Sequence, residues 1–170
     1  AGSDSLTVTN TYDVVTAQPE ITKAVTGNTT ASTYDATEEF TFTLAAVGDA
    51  PMPGENTEVS IKAGETGVFG EITYTAVGVY EYTITETAGS TVGMTYSTTP
   101  VDVTVNVTAN EAGALTAAVT YNPENHTVTN TYAITTAQPQ ITKKVEGTDE
   151  FGYNANEEFT FTLAAVGDAP

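Results

Sequence analysis

Apolar and polar residues alternate along most of the chain. Phe40 to Leu44 and Val101 to Val107 repeat with period two, the spacing of side chains on one face of a β-strand. Long segments with the 3.6-residue apolar period of a helix are absent from the sequence. The 36 Thr residues fit the same conclusion, because β-branched side chains favour strands. The pattern predicts an all-β chain.

Turn signals separate the alternating runs. They combine Gly, Pro, Asn and Asp, as in Gly48-Asp49-Ala50-Pro51, Pro53-Gly54, Gly64-Glu65-Thr66-Gly67, Ala88-Gly89-Ser90 and Asn122-Pro123. Short strands at this spacing, with no helices between them, predict an antiparallel β-sandwich.

A long internal repeat divides the chain. The hexapeptide Thr7 to Tyr12 recurs at Thr127 to Tyr132, and the run Glu38 to Pro51 recurs at Glu157 to Pro170. A period of about 120 residues is that of a whole domain, because solenoid repeats are far shorter. We therefore expect tandem repeats: a tail, the last strand of a preceding repeat and a linker (1–17), one complete domain (18–132), and a linker with the opening strands of a following, truncated repeat (133–170).

Charge and composition narrow the range of functions. Four Lys, no Arg and 22 acidic residues give a net charge of −18, which disfavours nucleic acid and anionic membranes as partners. No apolar run approaches the ~20 residues of a membrane span. With no Cys and one His, the chain lacks the usual parts of nucleophilic enzymes and metal sites. We expect no cofactor, no metal and no enzyme activity on an external substrate.

Three strands of the complete domain place one polar residue on the apolar side. Lys23 shares a strand face with Ile21 and Val25. By the same alternation, Glu86 falls with Tyr80, Tyr82 and Ile84, and Asn130 falls with Val128 and Tyr132. An amine, a carboxylic acid and an amide are thus predicted to face the core.

Each of the three has an ordinary structural explanation. A lysine at a strand end can extend its ammonium to water. Glu86 precedes a turn containing Gly89, so its side chain can be exposed to solvent there. Asn130 can cap a backbone group at a sheet edge. Together they can also form a buried salt bridge with an amide neighbour, which adds little net stability.

Taken as a set, the three residues support a reaction. An apolar interior lowers the pKa of a lysine amine and raises that of a carboxylic acid, so the neutral amine becomes a nucleophile. A protonated Glu86 can donate to the Asn130 amide oxygen and carry protons to its nitrogen. Lys23 can then attack the Asn130 side-chain carbonyl, forming an isopeptide bond and releasing ammonia. The reaction turns over once, so the domain modifies itself and is not an enzyme.

A wider pattern resembles a known family. It comprises Ile21-Thr22-Lys23, Phe40-Thr41-Phe42, the run Gly78 to Glu86, Tyr96, Val101 to Val105 and Val128-Thr129-Asn130. The order and spacing are similar to those of the pilin isopeptide-linkage domain of Gram-positive surface proteins, the streptococcal backbone-pilin type, related to collagen-adhesin B-type domains. The resemblance covers essentially all of 18–132 and both partial repeats.

The resemblance implies a fold and a role for this chain. The expected fold is an immunoglobulin-like sandwich whose first and last strands are joined by a bond from Lys23 to Asn130, with Glu86 as the catalytic acid. Asn10 and Lys143 would be half-sites of the neighbouring repeats. The expected role is a structural stalk of a bacterial pilin or adhesin, extracellular and attached to the cell wall. The expected partners are neighbouring repeats and, through fibre assembly, other copies.

Two other functions stay open from the sequence. One is a ligand-binding adhesive module that contacts host glycan, protein or another surface. It would use loops or outer Thr rows, such as Thr83, Thr85 and Thr87, or Thr127, Thr129 and Thr131. The other is a calcium-binding stalk with Asp49 or the pair Asp149 and Glu150 as ligands, although no loop has the alternating acidic spacing of a Ca²⁺ site.

The repeated opening segment suggests strand exchange between chains. Residues 137–170 of one copy resemble 18–51 of another, so they can in principle displace that segment and cross-link through Lys143. Connectivity within one chain still favours Lys23 over Lys143, because the linked strands of one domain are at high effective concentration.

Overall fold

The computed structural model describes residues 13–147, 154 and 156–167. In those residues it contains eleven strands and no helix, hence no helix of the length and apolar character that crosses a membrane. The strands are β1 (Val15–Ala17), β2 (Glu20–Gly27), β3 (Glu39–Ala46), β4 (Glu58–Lys62), β5 (Thr66–Val68), β6 (Ile72–Tyr74), β7 (Gly78–Glu86), β8 (Met94–Thr95), β9 (Val101–Ala109), β10 (Leu115–Asn122) and β11 (Thr127–Tyr132).

Two sheets form the body of the domain. One has five strands in the order β10-β9-β7-β3-β4, and all of its neighbouring strands are antiparallel. The other has four strands in the order β5-β2-β11-β8. Their apolar faces meet in one core, so the predicted all-β sandwich is confirmed.

One strand pair runs parallel. β2 and β11, the first long strand and the last strand of the domain, lie side by side with Lys23 opposite Val128 and Asn130 opposite Val25. Parallel neighbours need a long connection, and here almost the whole domain lies between them. The alternation that predicts a strand contains no information on its direction, so the antiparallel prediction missed this pair.

The core follows the alternation of the sequence. On β3, Phe40, Phe42 and Leu44 are buried and the residues between them are more exposed. On β9 the buried residues are Val101, Val103, Val105 and Val107. Since successive side chains of a strand point to opposite sheet faces, this pattern assigns one face of each strand to the core.

The predicted joint before the complete domain contains a strand. β1 pairs with β6 in a separate two-stranded sheet, with Val15 opposite Tyr74 and Ala17 opposite Ile72. At the other end, the backbone N–H of Ala133 donates to the carbonyl oxygen of Gly93, 2.8 Å away. The segments that enter and leave the domain are therefore both hydrogen-bonded to it.

The described residues after 135 belong to a second unit, which spans 136–170. No strand is assigned in its described part. The division of the chain into tandem repeats stays a prediction. Residues 1–12, with the half-site Asn10, lie outside the described residues.

Candidate functional site

Two of the three inward polar residues come from the parallel pair. Lys23 on β2 and Asn130 on β11 lie on the inner face of the four-stranded sheet, and both are completely buried. Their strand positions are two residues out of register, since Lys23 is opposite Val128. A long lysine side chain can span that diagonal, which lies within reach of long side chains on one sheet face.

Glu86 reaches the same point from the opposite sheet. It is the last residue of β7, it pairs with Phe42 of β3, and its side chain is only 1% exposed. One carboxylate oxygen, Oε2, lies 3.0 Å from the Lys23 Nζ. The other, Oε1, accepts a hydrogen bond from the Asn130 Nδ2 at 2.7 Å. The structure thus brings the three predicted side chains together across the sandwich, with the carboxylate between the amine and the amide.

Two aromatic rings complete the surroundings of the amine. The Lys23 Nζ lies 4.5 Å from the centroid of the Phe40 ring and 6.0 Å from that of Phe42. Burial lowers the pKa of the Lys23 ammonium below its ordinary value. The hydrogen bond and charge of Glu86, and the charge of Glu38, act against this shift. Burial is the largest influence, so the neutral amine is more accessible here than at an exposed lysine.

The orientation of the Asn130 amide differs from the sequence-based expectation. Its oxygen Oδ1 accepts a hydrogen bond from the backbone N–H of Ser97 at 2.9 Å. A backbone N–H can only donate, so the oxygen must face Ser97 and the nitrogen must face Glu86. We expected Glu86 to donate to the amide oxygen, but in this arrangement Glu86 contacts the nitrogen instead.

A second carboxylate lies near the amine. Glu38 comes directly before β3, and its Oε1 accepts hydrogen bonds from the Tyr96 and Thr91 hydroxyls, both at 2.7 Å. Its Oε2 is buried and has no hydrogen-bond partner among the described residues. Tyr96 also packs its ring against Phe40, with the ring centroids 6.3 Å apart.

Sequence reasoning missed several of these contacts. Alternation placed Phe40 and Lys23 on core faces, but it could not indicate that one lies over the other. Tyr96 was part of the family pattern, yet its bond to Glu38 depends on a fold in which a loop meets the start of β3. The Ser97 N–H carries no sequence signal, because every residue except proline has one.

The remaining predicted residues lie elsewhere. Lys143 is exposed, with its Nζ 4.6 Å from the Phe159 ring centroid and no counterpart of Glu86 or Asn130 in its own described unit. Asp49 is exposed in a turn, whereas Asp149 and Glu150 lie outside the described residues. Across residues 13–147, 154 and 156–167, no group of three or more His, Asp or Glu is arranged to hold a metal ion.

The two outer Thr rows are on different sheets. Thr83 and Thr85 belong to β7 in the five-stranded sheet, whereas Thr129 and Thr131 belong to β11 in the four-stranded sheet. They therefore lie on opposite outer faces and do not form one surface. Elsewhere, exposed hydroxyls bond across strands, as between Thr108 and Thr116 at 3.0 Å, so part of the Thr content stabilises the sheets.

One known protein family matches most of the chain. Residues 19–133 match the FctA family, described as the Spy0128-like isopeptide containing domain. No curated protein sequence is significantly similar to the chain.

Solved pilin structures also resemble the chain. The major pilin protein T-13 from Streptococcus pyogenes is 19% identical, with a TM-score of 0.48, over 72% of this chain and 54% of that chain. Two variants of the major pilin from Streptococcus pyogenes are each 16% identical over 69% of this chain and 50% of theirs, with TM-scores of 0.43 and 0.44. The chain spans about half the length of these pilins.

Proposed function

The chain belongs to the FctA family of Spy0128-like isopeptide-containing domains, and from this membership we propose that residues 18–132 form a shaft domain of a bacterial surface fibre that cross-links itself between Lys23 and Asn130. The observation that carries the proposal is the position of the Glu86 carboxylate, which hydrogen-bonds to both the amine and the amide in a buried site. No other molecule is needed, because nucleophile, acceptor and proton carrier are all parts of one fold.

The proposed reaction starts with proton transfer from Lys23 to Glu86. The two groups are 3.0 Å apart, and burial lowers the pKa of Lys23, so transfer of its proton to the neighbouring carboxylate becomes accessible. The neutral Nζ then attacks the Cγ carbon of Asn130. Rigid strands hold the two groups close together, which replaces a bimolecular encounter by an intramolecular one.

The proton balance requires a carrier that contacts both nitrogens. As the Nζ–Cγ bond forms and the Cγ–Nδ2 bond breaks, the lysine ammonium gives up two protons and the leaving nitrogen gains two, departing as ammonium. Glu86 contacts Nζ through Oε2 and Nδ2 through Oε1, so it can carry each proton in turn and end in its starting state.

The position of the bond suggests a mechanical role. Tension along a fibre would enter the domain through β2 and leave it through β11, which are neighbours in one sheet. A covalent bond between Lys23 and Asn130 would carry that load directly, so the residues between them need not unfold. In a chain without Cys, such a bond takes the structural place of a disulfide and is insensitive to reduction.

Extracellular location and assembly with other pilin subunits are part of this proposal. They rest on membership of the family of Spy0128-like isopeptide-containing domains and on the resemblance of the sequence pattern to Gram-positive pilin domains. The high acidic charge and the exposed Thr residues suit a soluble outer surface.

The intact mass of the denatured chain tests the proposal. We expect the wild-type mass to be lower than that calculated from the sequence by one ammonia, and the masses of Lys23→Ala, Glu86→Ala and Asn130→Ala to equal their calculated values. Lys143→Ala and Asn10→Ala are matched controls that should still lose ammonia. A wild-type chain at its calculated mass would remove the cross-link and leave Lys23 and Glu86 as an ion pair.

A further inference from the structure

Two groups hold the Asn130 amide from opposite sides, one as a hydrogen-bond acceptor and the other as a hydrogen-bond donor. Glu86 Oε1 accepts from its nitrogen at 2.7 Å, and the Ser97 N–H donates to its oxygen at 2.9 Å. Ser97 follows β8, whose residue Thr95 pairs with Thr131 beside Asn130. The backbone donor therefore lies just beyond the end of β8, and the pairing of β8 with β11 brings it close to the acceptor residue.

We propose that the Ser97 backbone N–H is the oxyanion donor of the cross-linking reaction, an assignment that rests on the function proposed above. When Nζ of Lys23 attacks Cγ of Asn130, the carbonyl π electrons move onto Oδ1. This oxygen then carries negative charge among buried side chains. A donor already aimed at it stabilises the transition state more than the ground state.

The movement of electrons and protons in the reaction gives Glu86 and the Ser97 N–H separate roles. In the tetrahedral intermediate, Nζ is bonded to Cγ, Oδ1 is negative beside the Ser97 N–H, and Glu86 holds a proton taken from Nζ. When the electron pair returns from Oδ1, the Cγ–Nδ2 bond breaks and Nδ2 leaves as ammonia with the proton from Glu86. Glu86 then takes the second proton from Nζ and passes it to the ammonia, which departs as ammonium. Glu86 thus transfers protons between the two nitrogens, and the Ser97 N–H donates a hydrogen bond to the oxygen.

Tyr96 holds the loop that carries this donor. Its hydroxyl donates to Glu38 Oε1 at 2.7 Å and lies 3.3 Å from the backbone nitrogen of Thr91, which donates to it. Gly89 is required for this packing, because a Cβ there would come within 2.4 Å of the Tyr96 hydroxyl. We therefore assign Tyr96 as a positioning residue that acts through the adjacent Ser97.

The variants follow from these contacts. Replacing Ser97 by its α-hydroxy acid changes the backbone amide to an ester and removes the N–H while keeping the side chain, whereas Ser97→Ala keeps the N–H. Tyr96→Phe removes the hydroxyl that bonds to Glu38 while retaining the ring that packs on Phe40. Glu38→Gln is a poorer test, because the charge of Glu38 also raises the pKa of Lys23.

The rate of ammonia loss tests the assignment. Chains made in a short cell-free pulse are quenched in acid at intervals, and their intact masses give the fraction cross-linked. We expect the ester to slow the reaction by about 10²- to 10³-fold, the magnitude typical of one oxyanion donor. Ser97→Ala should react at close to the wild-type rate, and Tyr96→Phe at a rate between those of the ester and the wild type.

The outcomes separate the two proposals. A wild-type chain that never loses ammonia overturns the cross-link itself. A wild-type chain that reacts, together with an ester that reacts equally fast, overturns only the role of Ser97.

A second measurement covers an ester that fails to fold. In the unreactive Lys23→Met chain, NMR should detect coupling through the hydrogen bond between the Ser97 amide and the Asn130 Cγ. Absence of this coupling in a folded chain would overturn the assignment.

Discussion

The same sequence adopts two different structures within this chain. Glu38 to Pro51 and Glu157 to Pro170 are identical in sequence, yet the first copy forms the strand β3 whereas the described part of the second, residues 157–167, contains no strand. In β3, Phe42 is fully buried, whereas its counterpart Phe161 is 49% exposed. The difference lies in the neighbours and not in the residues.

Sheet topology explains the contrast. β3 pairs with β4 and β7, and β2 pairs with β5 and β11. The segment 137–167 contains counterparts of β2 and β3 only, and these two strands belong to different sheets of the complete domain. They cannot pair with each other in the native arrangement, and an unpaired strand is not stable in water.

One local contact is present in both copies. Lys23 Nζ lies 4.5 Å from the Phe40 ring centroid, and Lys143 Nζ lies 4.6 Å from that of Phe159. The second copy therefore repeats the amine and its aromatic neighbour without the carboxylate and the amide. The comparison separates what the opening segment makes by itself from what the complete fold adds, namely burial, Glu86 and Asn130.

The largest expected effect comes from Asn130→Ala, with Asn10→Ala as its control in an identical hexapeptide. If the cross-link forms, its loss frees a loop of roughly 100 residues in the unfolded chain and lowers the free energy of unfolding by about 4–5 kcal/mol. The Ser97 N–H and Glu86 Oε1 also lose a partner, which adds to the loss. Guanidinium denaturation measures both variants, and equal stability of the two would contradict the prediction.

The next prediction compares the same substitution at Phe42 and at its counterpart Phe161. Phe42→Ala removes a buried ring between the sheets and should lower the free energy of unfolding by about 3–5 kcal/mol. Phe161→Ala removes a half-exposed ring and should change it by less than about 0.5 kcal/mol. Thermal and guanidinium denaturation of both chains give the difference. Similar losses at the two sites would mean that the second copy is packed in solution.

These two copies also indicate the limit of prediction from sequence. Alternation gave the strands and the inward direction of Lys23, Glu86 and Asn130, because the side-chain period of a strand is two. It gave the same prediction for Phe161 as for Phe42, since alternation describes a strand that already has neighbours. Whether those neighbours are present is a property of the whole sheet.

Other parts of the site depend on contacts between distant segments. The parallel direction of β2 and β11 follows from the path of the whole chain, and the Ser97 donor belongs to a backbone that every sequence shares. The bond between Tyr96 and Glu38 joins a loop to the start of β3. Local sequence patterns show which secondary structure a residue type prefers. The parallel pairing, the Ser97 donor and the bond between Tyr96 and Glu38 instead depend on which distant segments come into contact.

A third prediction concerns pH and the buried amine. In the proposed reaction, the reactive form of the site holds one proton between Lys23 and Glu86, so the rate should fall once Lys23 loses that proton. Because burial lowers the pKa of Lys23, this alkaline fall should have its midpoint below 10.5, the ordinary lysine value. Pulse-quench mass spectrometry across pH gives the profile.

Glu38→Gln tests the direction in which the midpoint of this alkaline fall moves. The charge of Glu38 raises the pKa of Lys23, so removing it lowers that pKa further and moves the alkaline fall to lower pH. A midpoint that moves upward, or a wild-type midpoint above 10.5, would contradict the electrostatic account.

The smallest expected effect is transfer of the reaction to the second copy. In a Lys23→Ala chain, Glu86 and Asn130 remain unreacted, and residues 137–167 of another chain carry Lys143 beside Phe159. To react, that segment must displace β2 and β3, whose inner residues Ile21 and Phe42 are fully buried, so exchange is slow and the yield small.

A denaturing gel of concentrated Lys23→Ala chain should therefore show a faint covalent ladder, while the wild type, in which the proposed bond from Lys23 occupies Asn130, should show monomer alone. The ladder should vanish when Lys143→Ala is added and persist with Lys144→Ala, because Lys144 falls on the opposite strand face from Ile141 and Val145. A Lys23→Ala chain that stays monomeric would mean that the amine and its aromatic neighbour are insufficient, and that only the strands built into one domain can bring the reacting groups together.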